Sequence, residues 1–221
     1  MSFTESDKLK ILKLKSGIAS YYNLQMKKIG DRQLEALFFE NCVISGGISC
    51  SVFHETAIND IDIYARSAKA MILIKDYIIN SKKNIKTFAT YSIDPATGDK
   101  LVTQGANPAI TVNAVTLTND VQFIYMDTWD NCKSKFDFIH CQPHYDLATQ
   151  KYFISKAQYD SIKSKELVTT GLVEIKENRR DKYLKRGWKE QFKSAEFKSN
   201  DIGEIGIIAQ EISQIIPSVI K

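Results

Sequence analysis

Proline and glycine are scarce, at 4 and 10 of 221 residues. A collagen-like chain needs glycine at every third position and a low-complexity linker is rich in both, so neither describes this protein. Cysteine is equally thin: Cys42, Cys50, Cys132 and Cys141. Four cysteines spread over this length with no secretory leader ahead of them do not suggest a disulfide scaffold, and a reducing cytoplasm is the expected compartment. Apolar runs of about 18 residues are missing, and residues 1–15 are polar and lysine-bearing. Neither export nor membrane spanning is expected.

What is present is the mixture of a soluble globular protein, 43% hydrophobic and 25% charged. A chain of this size buries roughly 70% of its unfolded surface, so its core needs neither a metal nor a disulfide to close. Thirty basic against 26 acidic residues leave a net charge of +4, too small to identify a nucleic-acid binder. The distribution is uneven, because Lys176, Arg179, Arg180, Lys182, Lys185, Arg186, Lys189, Lys193 and Lys198 crowd one stretch. Such a run is more often a solvated helix face than a phosphate contact; both readings stay open.

Periodicity gives a coarse map. Residues 9–29 carry apolar positions at helical spacings among lysines, Gly30 stops the pattern, and Asp31 can cap a short helix reaching about residue 40. An apolar strand, Cys42-Val43-Ile44, then runs into Ser45-Gly46-Gly47. Residues 57–64 alternate branched apolar and acidic side chains as a two-faced strand does, and Ser67 can cap the helix that follows. Residues 87–93, 110–117, 121–126 and 136–141 read as strands, with turns at 94–98 and 118–120 and at least one hairpin. Helices are expected over 156–165 from a Ser155 cap, over 178–186 up to Gly187, and over 204–215 before Pro217. The expected fold class is therefore α+β, a mixed sheet flanked by helices. It divides into a helical entry at 1–30, an α/β core at 31–145 and a basic helical segment at 146–221.

Chemistry concentrates at the glycine turn and the acidic strand. Residues two apart on a strand project from one face, so Asp60 and Asp62 point together while Ile61 and Ile63 point away. At ~4 Å and an effective dielectric of about 20, two carboxylates repel by on the order of 4 kcal/mol, which a divalent cation reverses. Oxygen ligands without nearby histidine suit Mg²⁺ or Mn²⁺. Asp137, alone between Phe136 and Phe138 on an expected strand, is the candidate third acid, able to activate an attacking hydroxyl if its strand lies beside that of Asp60. The bland alternatives are a turn at Gly46-Gly47 and a solvent-facing strand edge at Asp60 and Asp62.

Gly46-Gly47, Asp60-Ile61-Asp62 and the later Asp137 resemble the DNA polymerase β-type nucleotidyltransferase superfamily over about residues 31–140. Phe136-Asp137-Phe138-Ile139-His140-Cys141-Gln142-Pro143-His144-Tyr145 and Tyr183-Leu184-Lys185-Arg186-Gly187-Trp188 resemble small nucleotidyltransferase-like proteins of tailed bacteriophages. The resemblance implies Asp60, Asp62 and Asp137 as catalytic and metal-holding residues. Gly46, Gly47 and a hydroxyl of Ser49 or Ser51 would hold nucleotide phosphates. It implies a nucleoside triphosphate and Mg²⁺ or Mn²⁺ as cofactor, and a hydroxyl acceptor such as RNA. Host cytoplasm is the implied location, with the virion an alternative. Ser49, Cys50 and Ser51 stand where the tRNA-tailing branch carries Arg-Asp, so that branch's substrate does not carry over. The alternative function is a non-catalytic phage virion or interaction protein that keeps the fold.

Other constellations are weaker. His140, Cys141, His144 and Cys132 are zinc-ligand types at a spacing that matches no familiar finger, and a cysteine nucleophile lacks a defined base. Tyr183 and Trp188 either stack on bases or pack a helix onto the core. Residues 205–217 resemble the terminal helix of the chaperone domain of phage tail fibres, without its Ser-Asp cleavage pattern, and would dock on this protein or on a phage protein partner.

Overall fold

The structure is a computed structural model, and it describes residues 2–93 and 100–190. The turn expected at 94–98, the tail helix expected at 204–215, and Lys193 and Lys198 lie outside those residues.

The entry is one long helix, α1 (Glu5–Ile29). Thr4 and Asp7 cap its start reciprocally, each side chain accepting from the other's backbone N–H, and Gly30 ends it at φ 72°. Helix α2 (Arg32–Asn41) starts where the Asp31 carboxylate accepts the Leu34 N–H. Strand β1 (Cys42–Ser45), helix α3 (Ile48–Phe53), strand β2 (Ile61–Ala65) and helix α4 (Ala68–Ser81), capped by Ser67, follow. Strands β3 (Thr87–Ile93) and β4 (Lys100–Pro108) pair with each other and, among the described residues, with no other strand. Strands β5 (Ala114–Thr116) and β6 (Val121–Ile124) form an antiparallel pair through the turn at 118–120, where Asn119 and Asp120 take positive φ. Helix α5 (Trp129–Cys132) precedes β7 (His144–Asp146) and β8 (Lys151–Phe153). Helix α6 (Lys156–Ser164), begun by a Ser155 capping box, leads to β9 (Glu166–Leu167), α7 (Glu177–Leu184) and β10 (Lys189–Glu190).

The main sheet runs β5-β6-β2-β1-β7-β8. Its β2–β6 pair is parallel and the others antiparallel, so the α+β class with a mixed sheet holds. Strand alternation divides the side chains. Ile44, Ile61, Ile63 and Phe123 face a core completed by Ile18 and Met26 of α1, Phe38 of α2 and Ile74 of α4. Each such side chain, fully withdrawn from water, contributes about 1.5–3 kcal/mol before entropy is charged. Val43 and Tyr64 point to the opposite face, where Trp129, Cys132 and Phe136 cover them. Because α1 belongs to the main core and β7 and β8 complete the sheet, the packing crosses the boundaries expected at residues 30 and 145.

Two expectations are corrected. The strand read over 57–64 begins only at Ile61, leaving Asp60 just ahead of it. Residues 136–141 are not a sheet strand: Phe138 makes one bridge to Thr169, and Ile139–Cys141 is a 3-10 turn. Phe138, Ile139, His140 and Cys141 are all buried, so no period of two selects one face for this run.

Gly17, midway along α1, lies against α3. A Cβ there would come within 2.6 Å of Val52 Cγ1. Gly17→Ala is expected to cost about 1 kcal/mol, since overpacking against a stiff valine outweighs the ~1 kcal/mol of helix propensity gained. In a Val52→Ala background the same change should stabilise by about 1 kcal/mol. Equal effects in both backgrounds, measured by chemical denaturation, would contradict this packing.

Candidate functional site

The bend after β1 is built for close approach. Gly46 sits at φ 85°, and a Cβ there would lie 2.6 Å from Asp62 Oδ2, so both backbone conformation and space demand glycine. Its N–H donates to the Cys141 carbonyl at 3.1 Å, and the Ser45 hydroxyl is within reach of the Cys141 and Pro143 carbonyls at 3.0 and 2.9 Å. These bonds tie the bend to the segment that carries Asp137. Gly47 is exposed ahead of α3. Ser49 turns inward: it is 1% exposed, and its Oγ accepts from the Tyr152 hydroxyl at 2.9 Å. Ser51 is half-buried.

Asp62 stands in β2 opposite Ser45 of β1 on one side and Gln122 of β6 on the other. Neighbours in register share a face, so a neutral amide occupies the strand position beside Asp62. The strand next to the acidic one is thus β6 rather than the Asp137 segment. Burial, and then the nearby charge of Asp60, push the Asp62 carboxyl up to about 7, against the opposing fields of Lys182 and Arg179.

Asp137 reaches the same region from a loop. Its carboxylate accepts from Arg179 Nε of α7 at 2.5 Å, and its carbonyl accepts the Thr170 N–H. The fields of Asp62 and Asp137 both reach the Cys141 thiol, and Arg179 acts on Asp62 as well as on Asp137. Asp60 acts on Asp62, and Asp62 and Asp137 both feel Arg179, a guanidinium committed to Asp137. Among the described residues no three His, Cys, Asp or Glu side chains gather closely enough to hold a metal ion. This bears equally on the zinc-type residues: His144 stacks on Phe153, and the Cys141 sulfur meets the Tyr183 hydroxyl at 3.1 Å.

Aromatic packing brings α7 to this place. The His140 ring is fully buried, stacked on Trp188 at 3.9 Å and on Phe138 at 5.6 Å between centroids, with Tyr183 edge-on. Both its ring nitrogens lack hydrogen-bond partners, and burial drives its pKa down to about 3, so the ring is neutral. Of the two roles open to Tyr183 and Trp188, the structure assigns helix packing. Gln122 and Arg179 are the site residues that sequence reasoning missed. Arg179 stood in the basic run without a reason to single it out, and Gln122 gains meaning only from the β2–β6 register.

The family model described as Gad2, Gabija anti-defense 2 family protein, matches residues 17–165. No curated protein matches the sequence. Among solved structures, the Thermotoga maritima CCA-adding enzyme complexed with tRNA is similar at 9% identity and a TM-score of 0.42, covering 72% of this chain and 38% of that one. A CCA-adding enzyme in apo form II is similar at 12% identity and a TM-score of 0.42, covering 75% and 44% respectively. The chain thus spans less than half the length of these structures.

Two pH effects of opposite sign follow. The folded state holds its Asp62 proton from 3.8 up to about 7, so stability falls as pH rises through that window. Asp62→Asn should gain little over the parent at the acid end and about 4 kcal/mol at the alkaline end, by denaturation across pH; a pH-independent gain would contradict the assignment. His140 must stay neutral from 6.5 down to about 3 in the fold, so stability is lost as pH falls through that range. His140→Phe should remove this acid loss and add about 1 kcal/mol near neutrality by deleting unpartnered polar atoms; an unchanged acid limb would refute it.

Proposed function

The chain belongs to the Gabija anti-defense 2 family, and we propose that it opposes that defence by binding a component of it, as a non-catalytic protein built on a nucleotidyltransferase-like core. The observation that carries this reading is the state of the third carboxylate. Asp137 is engaged by Arg179, and the strand neighbour of Asp62 is Gln122. A two-ion transfer site asks for three carboxylates free to converge on divalent cations, and this donor set does not fit it. The glycine bend contributes to the reading as architecture: Gly46 admits Asp62, while the Ser49 hydroxyl is spent on Tyr152.

The second reading, metal-dependent transfer of a nucleotidyl group from a triphosphate to a hydroxyl, has its own support. Asp62 is held against the bend with Asp60 close enough to raise its pKa, the electrostatic condition that an added cation relieves. In that reading Asp60 and Asp62 would hold the ion, which would supply charge neutralisation at phosphate oxygens.

The Asp60→Asn/Asp62→Asn double variant separates the two. Under the binding reading it should protect phage against cells carrying Gabija as well as the parent does, by plating efficiency at matched expression. Titration of the parent with Mg²⁺ and each triphosphate should give no heat. Loss of protection by a folded double variant, together with metal-dependent nucleotide binding by the parent, would favour catalysis instead.

A further inference from the structure

Apart from Arg179, which answers Asp137, and the field of Lys182 on Asp62, the basic run has no part in the reading above. Between Lys176 and Lys189 stand seven basic and two acidic residues, an excess of five, whereas the whole chain has an excess of four. The rest of the protein is close to neutral, so this one element carries the outward field.

The run is also held rigidly. Tyr183 and Trp188 bury against His140, Phe138 and Cys141, which fixes the side that α7 turns to water. Two of its cations are already answered, Arg179 by Asp137 and Arg180 by Glu190. Lys176, Lys182, Lys185, Arg186 and Lys189 are exposed and, among the described residues, enter no ion pair. Lys182, Lys185 and Arg186, three and four positions apart, fall side by side as the helix runs out.

We propose that this face is a nucleic-acid-binding surface that grips the phosphodiester backbone without reading bases. The side-chain chemistry selects the partner. Protein interfaces are depleted of lysine and built on apolar anchors, and a membrane-surface helix needs an apolar ridge to insert. On α7 the exposed large apolar residue is Leu184, at 36%. A lysine-rich, apolar-poor face matches a polyanion of regularly spaced phosphates. The surface lies beyond residues 17–165 that the family model matches, so the proposal goes past the anti-defence reading and survives or fails separately from it.

The test is fluorescence anisotropy of the full chain with labelled RNA, single-stranded DNA and duplex DNA of mixed sequence, over a range of salt. Binding is expected with log affinity falling against log salt at a slope of about −4, as release of counterions from about five phosphates requires. The Lys182→Glu/Lys185→Glu/Arg186→Glu variant should bind at least about tenfold more weakly, and the Lys→Gln/Lys→Gln/Arg→Gln version at the same positions should shift in the same direction with a shallower slope. Circular dichroism and thermal unfolding confirm that each variant is folded. Unchanged affinity in the folded variants overturns the proposal. So does equal affinity of the parent for polyglutamate, which points to an acidic protein, or for phosphatidylserine vesicles, which points to a membrane.

Discussion

One guanidinium acts on carboxylates from two separate parts of the chain. Arg179 meets Asp137 directly at 2.5 Å and reaches Asp62 through its field. The pair is partly exposed, with the arginine side chain 44% accessible, so it contributes little to stability by itself, on the order of 0–1 kcal/mol. What holds it in place is the aromatic stack behind it. Trp188 and Tyr183 close over His140, a ring kept neutral and without partners, and burial of those side chains contributes more than the ion pair does. The Asp62 carboxylate, the loop that carries Asp137 and helix α7 are therefore coupled. A change at any of them alters the charge balance that Asp62 feels.

On the proposed reading, the glycine bend and the acidic strand serve as structure rather than as a transfer site. The glycine bend and the acidic strand are fitted to each other as structure, because a Cβ at Gly46 would meet the Asp62 carboxylate. The strand position beside Asp62 holds the amide of Gln122, and Asp137 is taken by an arginine from an element that follows the sheet. Retention of a core with reassignment of its polar groups is the general reason that fold and function separate.

Most of the sheet's inner half was legible in the sequence, because its strands and helices bury one face and so print their period. Thr4, Asp31, Ser67 and Ser155 cap helices as local hydrogen-bonding chemistry dictates, and only Thr4 went unremarked in the periodicity. Legibility stopped where a segment is covered on both sides. Residues 136–141 are apolar enough for a strand, yet Ile139–Cys141 turn as a 3-10 helix between the sheet and the Leu167–Trp188 layer, and sequence carries no trace of that second cover. The partner of Asp62 was hidden for a different reason. Sheet register is a long-range property, so Gln122 looks like an ordinary polar residue on a half-buried strand until β6 is seen to run parallel beside β2. Arg179 was invisible because nothing local distinguishes it from Arg180, which faces Glu190 instead.

The central claim is that Asp137 is held by the protein's own cation, Arg179, and that the three carboxylates do not gather around a metal. The most direct measurement is anomalous diffraction at the manganese edge from crystals grown with Mn²⁺ and a non-hydrolysable triphosphate. The account predicts Arg179 on Asp137 and no manganese peak near Asp62. A peak coordinated jointly by Asp60, Asp62 and Asp137, with the arginine displaced, would contradict it.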